Sequence, residues 1–277
     1  MPERKELSAA EKARKYAKYY YQESAPTAAE HATLLVDLKP LDPIKADRIQ
    51  DANNMLSPGY SEGENGYCVM PDGSGYVALL HKMLGVTAEM FDWWFAWHGL
   101  EDLRYKIWFP EYHISAHVDE GDRAKILDPD RPLPLKFQGM THHVVEDIGG
   151  GVPNAVDISF LSPEDFGFDM GRYHSPNAEA LAAANVRAKP QDAPADDPGL
   201  PLAFVHLVRN VPGGIEVRNR FWIGYQIVNK KPVLALPEGV SIPEEACQGL
   251  FQHDVQEFAN LAAILPTLYA EQEGKVE

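Results

Sequence analysis

Cysteine is almost missing from this 277-residue chain. It has two, Cys68 and Cys247, far apart and in no CxxC pair. That excludes a disulfide framework or a zinc ribbon and fits a reducing cytoplasm. Long hydrophobic runs are missing as well. No stretch of about 18 apolar residues occurs, so no membrane span is expected. The first residues, MPERKELSAAEKARKYAKYYYQ, are charged throughout, with no apolar centre or small-residue cleavage site, and do not read as a secretory signal. Positive charge is scarce: 25 basic against 41 acidic residues leave a net charge of −16. Such a surface repels nucleic acid and anionic membranes. Neither GxGxxG nor GxxxxGK[ST] appears, so nothing points to a nucleotide. Ser57, Ser61 and Ser74 lie in turn-forming stretches rather than in a GxSxG elbow, and neither cysteine has the setting of a nucleophile.

What is present is ordinary in bulk, at 45% hydrophobic residues, but distinct in pattern. Ser8 to about Gln22 reads as a helix opened by a Ser8/Glu11 capping box, its tyrosines facing solvent or a partner subunit. Turn chemistry dominates Asn53 to Gly75. VTAEMFDWWFAWHGLED (Val86 to Asp102) reads as a buried helix with Thr87 as N-cap. GMTHHVVEDIG, AVDISFLS, PLAFVHLVRN and GIEVRNRFWIGYQIV then read as strands, the last two joined at Pro212–Gly214 as an antiparallel hairpin. Asn185 to Leu200 reads as an Ala/Pro/Asp loop. A long helix closes the chain, with a second capping box at Ser241/Glu244, Pro243 early in it and Pro266 ending it. A mostly antiparallel sheet around one long C-terminal helix is an α+β layout.

On that last helix a stripe at three- and four-residue spacing runs Ala246, Leu250, His253, Glu257, Leu261, Ile264. His253 and Glu257 interrupt an apolar face, where a carboxylate is costly unless paired or metal-bound. Their spacing aims both at one point, as a metal site on a helix requires. Strand alternation puts His142, Val144 and Glu146 on one face and His143, Val145 and Asp147 on the other, and either Glu146 or Asp147 is eligible as the inward carboxylate. His113 and His117 are equally eligible as a further imidazole. Mixed imidazole and carboxylate ligands suit zinc, with iron and manganese as alternatives. His98 and Asp102 form another i, i+4 pair, read as a structural contact.

FDWWFAWHGLEDLRYKIWFPEYH, VPGGIEVRNRFWIGY and HDVQE, in order from about Met83 to Tyr269, resemble the 2,4-diacetylphloroglucinol hydrolases and the related phloretin hydrolases. The resemblance implies a helix-grip (START-like) catalytic domain at residues 83–277. Residues 1–82 would be a mainly helical N-terminal segment used in dimerisation, giving a homodimer. It implies cleavage of the carbon–carbon bond between an acyl group and a phenolic ring, on a small acylated phenol. The implied metal set is one zinc ion (Zn2+) on His113, Glu146, His253 and Glu257. Tyr105 would contact a substrate oxygen, and His206 would be the pocket histidine. Trp94, Trp97, Trp108 and Trp222 are expected to wall the pocket. Two stretches depart from the family pattern. Ala116 replaces an expected polar amide, which leaves the acyl preference open, and Phe221 and Trp222 stand where a further phenol is expected, which points to a relative of diacetylphloroglucinol as substrate. Two other classes compete: a non-catalytic carrier of hydrophobic ligands, and another metal-dependent enzyme on this scaffold. The polar pair inside the C-terminal stripe argues against a pure carrier.

Overall fold

Period-two alternation in the strand segments builds one sheet with both faces buried over much of its area. The structure, a computed structural model, describes residues 3–148 and 150–277. Helices α1 (Ala9–Lys12), α2 (Ala17–Tyr21) and α3 (Ala29–Val36) precede strands β1 (Gly66–Val69) and β2 (Gly75–Leu84). Helices α4 (Ala88–Trp97) and α5 (Asp102–Lys106) follow, then β3 (His113–Val118), α6 (Glu120–Leu127), β4 (Thr141–Glu146), β5 (Asn154–Leu161) and α7 (Pro163–Phe166). Next come β6 (Ala180–Pro190), β7 (Leu200–Val211), β8 (Gly214–Ile223), β9 (Tyr225–Val228) and β10 (Lys231–Leu234). The 28-residue helix α8 (Glu244–Glu271) closes the chain. Eight strands form an antiparallel sheet in the order β1-β2-β8-β7-β6-β5-β4-β3, and β9 and β10 form a small hairpin. The sheet grips α8, which is the expected α+β helix-grip layout.

Strand β8 shows how the two faces differ. Ile215, Val217, Phe221 and Ile223 pack into the core that contains α8, whereas Trp222 belongs to the cluster on the opposite face. Gly75 allows the helix to come close, because a Cβ there would meet Cys247 Sγ at 2.6 Å. On the outer face Glu64 accepts hydrogen bonds from Arg218 Nε and Nη2 at 2.6 and 2.7 Å, with Arg220 Nη2 at 3.0 Å. Arg220 also donates to Asp47, at 2.9 Å. These pairs tie the segment around residues 47–64 across the sheet.

The expected division at residue 82 falls inside β2, whose ten residues pair with β8 from Gly75 to Leu84. Several local expectations need correction. The Ser8/Glu11 capping box forms, but the helix breaks after Lys12 and restarts at Ala17. Between them Tyr16 turns inward, its hydroxyl 2.7 Å from Glu101 and its ring edge-on to Trp97. Tyr19 and Tyr20 are buried within the chain, leaving Tyr21 exposed. Thr87 caps α4, but the Val86–Asp102 helix gives way at His98–Leu100 to a 3-10 turn before α5. Residues 185–190, expected as loop, extend β6, with Asn185 to Ala188 paired to both neighbours. The Ser241/Glu244 box does not form: Ile242 donates to Gly73 O, and Pro243 becomes an extended N-cap. Nor does Pro266 end α8. The helix runs on to Glu271 because burial of Leu265 and Leu268 offsets the one lost backbone bond.

Burial opposes ionisation of Glu64, but the Arg218 hydrogen bond and the charges of both arginines outweigh it and hold the carboxyl at about 2. A folded pKa below the unfolded value contributes stability above the unfolded pKa, lost as pH falls through the folded one. Glu64→Gln is therefore expected to cost on the order of 3 kcal/mol at pH 7. The gap to wild type should close as pH drops from about 4.5 towards 2. Urea denaturation across that range checks it.

Candidate active site

Four donors reach one point, three of them buried and Glu146 nearly so, delivered by three local rules. Pro110 stops helix propagation after α5, and His113 N donates to Phe109 O as the chain turns into β3. In the register of β3 with β4, His113 lies directly opposite Glu146, beside an irregularity between His113 and Ser115. The i, i+4 spacing of α8 supplies His253 and Glu257. His113 Nε2 stands 3.4 Å from Glu146 Oε2 and 3.5 Å from Glu257 Oε2. His253 Nε2 stands 3.8 and 3.9 Å from the same two oxygens. Donor atoms of His113, His253 and Glu257 all lie within 4.8 Å of one another, the geometry of a candidate metal site. Tetrahedral donors about 2.0–2.2 Å from a zinc ion are roughly 3.3–3.6 Å apart, so the cluster is slightly wider than a closed site.

The electrostatics fit a cation. Burial pushes His113 well below the usual imidazole range and His253 down to about 4. Burial raises Glu146 to about 7, and burial with the charges of Asp254 and Glu146 raises Glu257 well above the carboxylate range. Without a cation all four tend to neutrality, so their mutual contacts are not ion pairs. His113 Nδ1–H donates to Tyr105 O at 3.1 Å, which leaves Nε2 a bare acceptor with no hydrogen-bond partner, and His253 Nε2 has none either. Two orphaned imidazole nitrogens beside two carboxyls are the donor set a divalent metal satisfies. Tyr105 stacks face to face on His113 at 3.9 Å, and its hydroxyl donates to Glu146 Oε2 at 2.5 Å.

The cluster opens onto a mostly apolar cavity between sheet and helix. Glu146, His253 and Glu257 sit on its lining with Tyr105, while Trp108, Phe204, Phe221 and Leu250 supply apolar wall. His206 on β7 also lines it. Its Nδ1 is 2.7 Å from Asn219 Oδ1, and Asn219 Nδ2 donates to Asp254 Oδ1 at 2.7 Å. Asp254 Oδ2 is 2.8 Å from His81 Nε2. All four residues are buried. A concave apolar site with a few convergent polar groups of displaced pKa has the character of an active site.

A family model described as "DAPG hydrolase PhiG domain" matches residues 47–270. The chain belongs to that family. Over 265 residues it is 39% identical to a phloretin hydrolase from Eubacterium ramulus, covering 95% of this chain and 92% of the relative. It is 29% identical over 266 residues to a 2,4-diacetylphloroglucinol hydrolase from Pseudomonas protegens, covering 92% and 84%. The solved structure of Ara h 8.0201 overlays 70% of this chain and 99% of its own, at 12% identity and a TM-score of 0.42. Within this DAPG-hydrolase family member the predicted residues fall into two groups. His113, Glu146, His253, Glu257, Tyr105 and His206 come together. Asp147 turns from the cluster and accepts from Gly151 N at 3.0 Å. His117 is exposed and stacks on His143.

Other expectations change. His98 does not pair with Asp102: His98 Nδ1 meets Trp94 O at 2.8 Å, and Asp102 accepts from Ala116 N at 3.1 Å. Ala116 is buried in the core. Among the four tryptophans Trp108 lines the cavity and Trp94 backs it edge-on. Trp97 instead stacks on Trp93 under Arg104, and Trp222 lies on the opposite sheet face with Nε1 donating to Asp47 O. Sequence reading missed Asn219, Asp254 and His81. The hairpin held the signal for Asn219, since pairing Val211 with Gly214 carries register back to His206 opposite Asn219. Asp254→Ala would strand the buried Asn219 and His81 donors. It is expected to destabilise the fold by about 2–4 kcal/mol, measurable by chemical denaturation.

Proposed function

We propose that this chain is a metal-dependent hydrolase that releases a carboxylic acid from an acylated phloroglucinol-type phenol by cleaving the acyl–ring carbon–carbon bond. The observation that carries the reading is the convergence of His113, Glu146, His253 and Glu257 on the wall of an apolar cavity shared with Tyr105 and His206. The names of the relatives support the substrate class. His113, Glu146, His253 and Glu257 would hold a zinc ion through the orphaned nitrogens, and it would supply Lewis acidity to polarise an oxygen and lower the pKa of water.

An aryl ketone resists hydrolysis because the ring would leave as a carbanion. A polyhydroxylated ring avoids this by tautomerising to a ring ketone, which makes the substrate a β-diketone. Water then adds to the acyl carbonyl, and the acyl–ring bond breaks with its electron pair leaving as a stabilised enolate. The water oxygen stays on the acid, and a proton returns to the ring carbon. His206 is suited to receive a hydrogen bond from a ring hydroxyl. Burial holds it at about 4, so at neutral pH it is an uncharged acceptor that can orient the ring. The Tyr105 hydroxyl orients Glu146 beside the site of attack. Trp108, Phe204 and Phe221 exclude bulk water, which strengthens each polar contact inside.

A pure carrier of hydrophobic ligands gains nothing from burying four such groups. Metal analysis of purified protein is expected to find a bound divalent ion that His253→Ala and Glu257→Ala lose. Both variants should drop at least ~100-fold in kcat/KM, since outer partners of metal ligands alone cost about 10–100-fold. Product analysis should return one free carboxylic acid per deacylated phenol. Full activity in both variants, or active protein without metal, contradicts the reading.

A further inference from the structure

We propose that the cavity recognises its ligand through two pinned acceptor nitrogens, Nε2 of His98 and Nε2 of His206, and so selects rings that carry at least two free hydroxyls. The inference deepens the reading above and rests on the cavity being the substrate site. It assigns His98 to substrate recognition, and it assigns Asn219 and Asp254 as positioning residues behind His206.

The argument is one of hydrogen-bond polarity. His98 Nδ1 lies 2.8 Å from Trp94 O, and a carbonyl oxygen only accepts, so the proton sits on Nδ1. Nε2 is then a lone pair, and no hydrogen bond reaches it among the described residues. The ring cannot readily turn over. Trp94 stacks on it at 5.4 Å, Trp108 meets it edge-on at 5.4 Å, and His142 packs against it at 5.2 Å. His98 nevertheless lines the cavity. For His206 the polarity is set at one remove. The Asp254 carboxylate accepts from Asn219 Nδ2 and from His81 Nε2, which turns the Asn219 amide oxygen towards His206. That oxygen accepts, so His206 Nδ1 donates and its Nε2 is again bare.

Both imidazoles pack against Phe95, at ring distances of 5.4 and 5.8 Å, so they serve the same end of the cavity. Burial keeps each neutral at pH 7, with both held near 4. Two lone pairs in an apolar wall match two donated hydroxyls. They face a ketone or a methyl ether as lone pair against lone pair, and the penalty of a buried acceptor left unpaired discriminates against such rings.

Calorimetric titration of the zinc-loaded protein with phloroglucinol, its dimethyl ether (3,5-dimethoxyphenol) and 1,3,5-trimethoxybenzene tests this directly. Phloroglucinol should bind, and cutting its hydroxyls to one should weaken binding at least ~10-fold. Trimethoxybenzene should not bind. His98→Phe, with His98→Asn as a second variant should the first fail to fold, should narrow the gap between phloroglucinol and its dimethyl ether. Asn219→Ala should do the same through His206. In wild type, nitrogen NMR should show both histidines protonated at Nδ1, a signature that a merely packing histidine has no reason to keep on ligand binding. Equal affinity for methylated rings, no phloroglucinol binding at millimolar concentration, or an Nε2-protonated tautomer at either histidine overturns the inference. Selective binding without hydrolysis of any acylated phenol would leave it standing and defeat the functional reading instead. Hydrolysis without hydroxyl discrimination in binding would do the reverse.

Discussion

Two carboxyls and two imidazoles brought out of water to within 3.4–3.9 Å of each other, yet unable to satisfy one another, set the terms for this structure. Each group resists burial on its own. Burial drives Glu146 and Glu257 towards protonation and His113 and His253 towards neutrality, so self-neutralisation would leave two nitrogens with nothing to bind. The surroundings hold the arrangement regardless. Tyr105 pins both His113, through its ring and carbonyl, and Glu146, through its hydroxyl. Trp108 donates from Nε1 to Glu257 O at 3.0 Å, tying the aromatic wall to α8.

Support also comes from the far side of the sheet. Strand β8 presents Asn219 and Phe221 to the pocket side while Arg218 and Arg220 face outward, where Glu64 and Asp47 hold them. A buried guanidinium with planar bidentate contacts resists sliding, so the strand that carries the pocket residues is anchored by charges that never meet a ligand. Near the start of the chain Arg4 donates to Glu111 at 2.8 Å, just before His113. Segments that look peripheral in sequence thus brace the strands that bear the donors.

Legibility in the sequence followed periodicity. The stripe on α8 marks His253 and Glu257 because two polar residues break an apolar repeat, and the PGG turn fixes the register of the hairpin beside it. Alternation alone could not choose Glu146 over Asp147. The choice depends on where β4 ends and on its pairing with β3, both set by contacts distant in sequence. The same limit hid the break at His98, where a side chain takes the Trp94 carbonyl and the helix yields to a tighter turn. It also hid the survival of α8 past Pro266, because burial beyond the proline is a tertiary fact. Local rules for caps and stops were overruled wherever the sheet offered a competing partner, as Gly73 does for Ile242.

His253 and Asp254 are consecutive on α8, about 100° apart around its axis. One belongs to the donor cluster and the other is a link in the hydrogen-bonded chain behind His206. A single rigid helix therefore sets two angular positions at once, like two cams on one shaft. Rolling the helix to relax one half of the site necessarily mistimes the other. Substitution in such a protein is accordingly expected to be freer on the opposite wall, where Leu202 and Phe204 stand on β7 and Phe221 on β8, than along this shared axis.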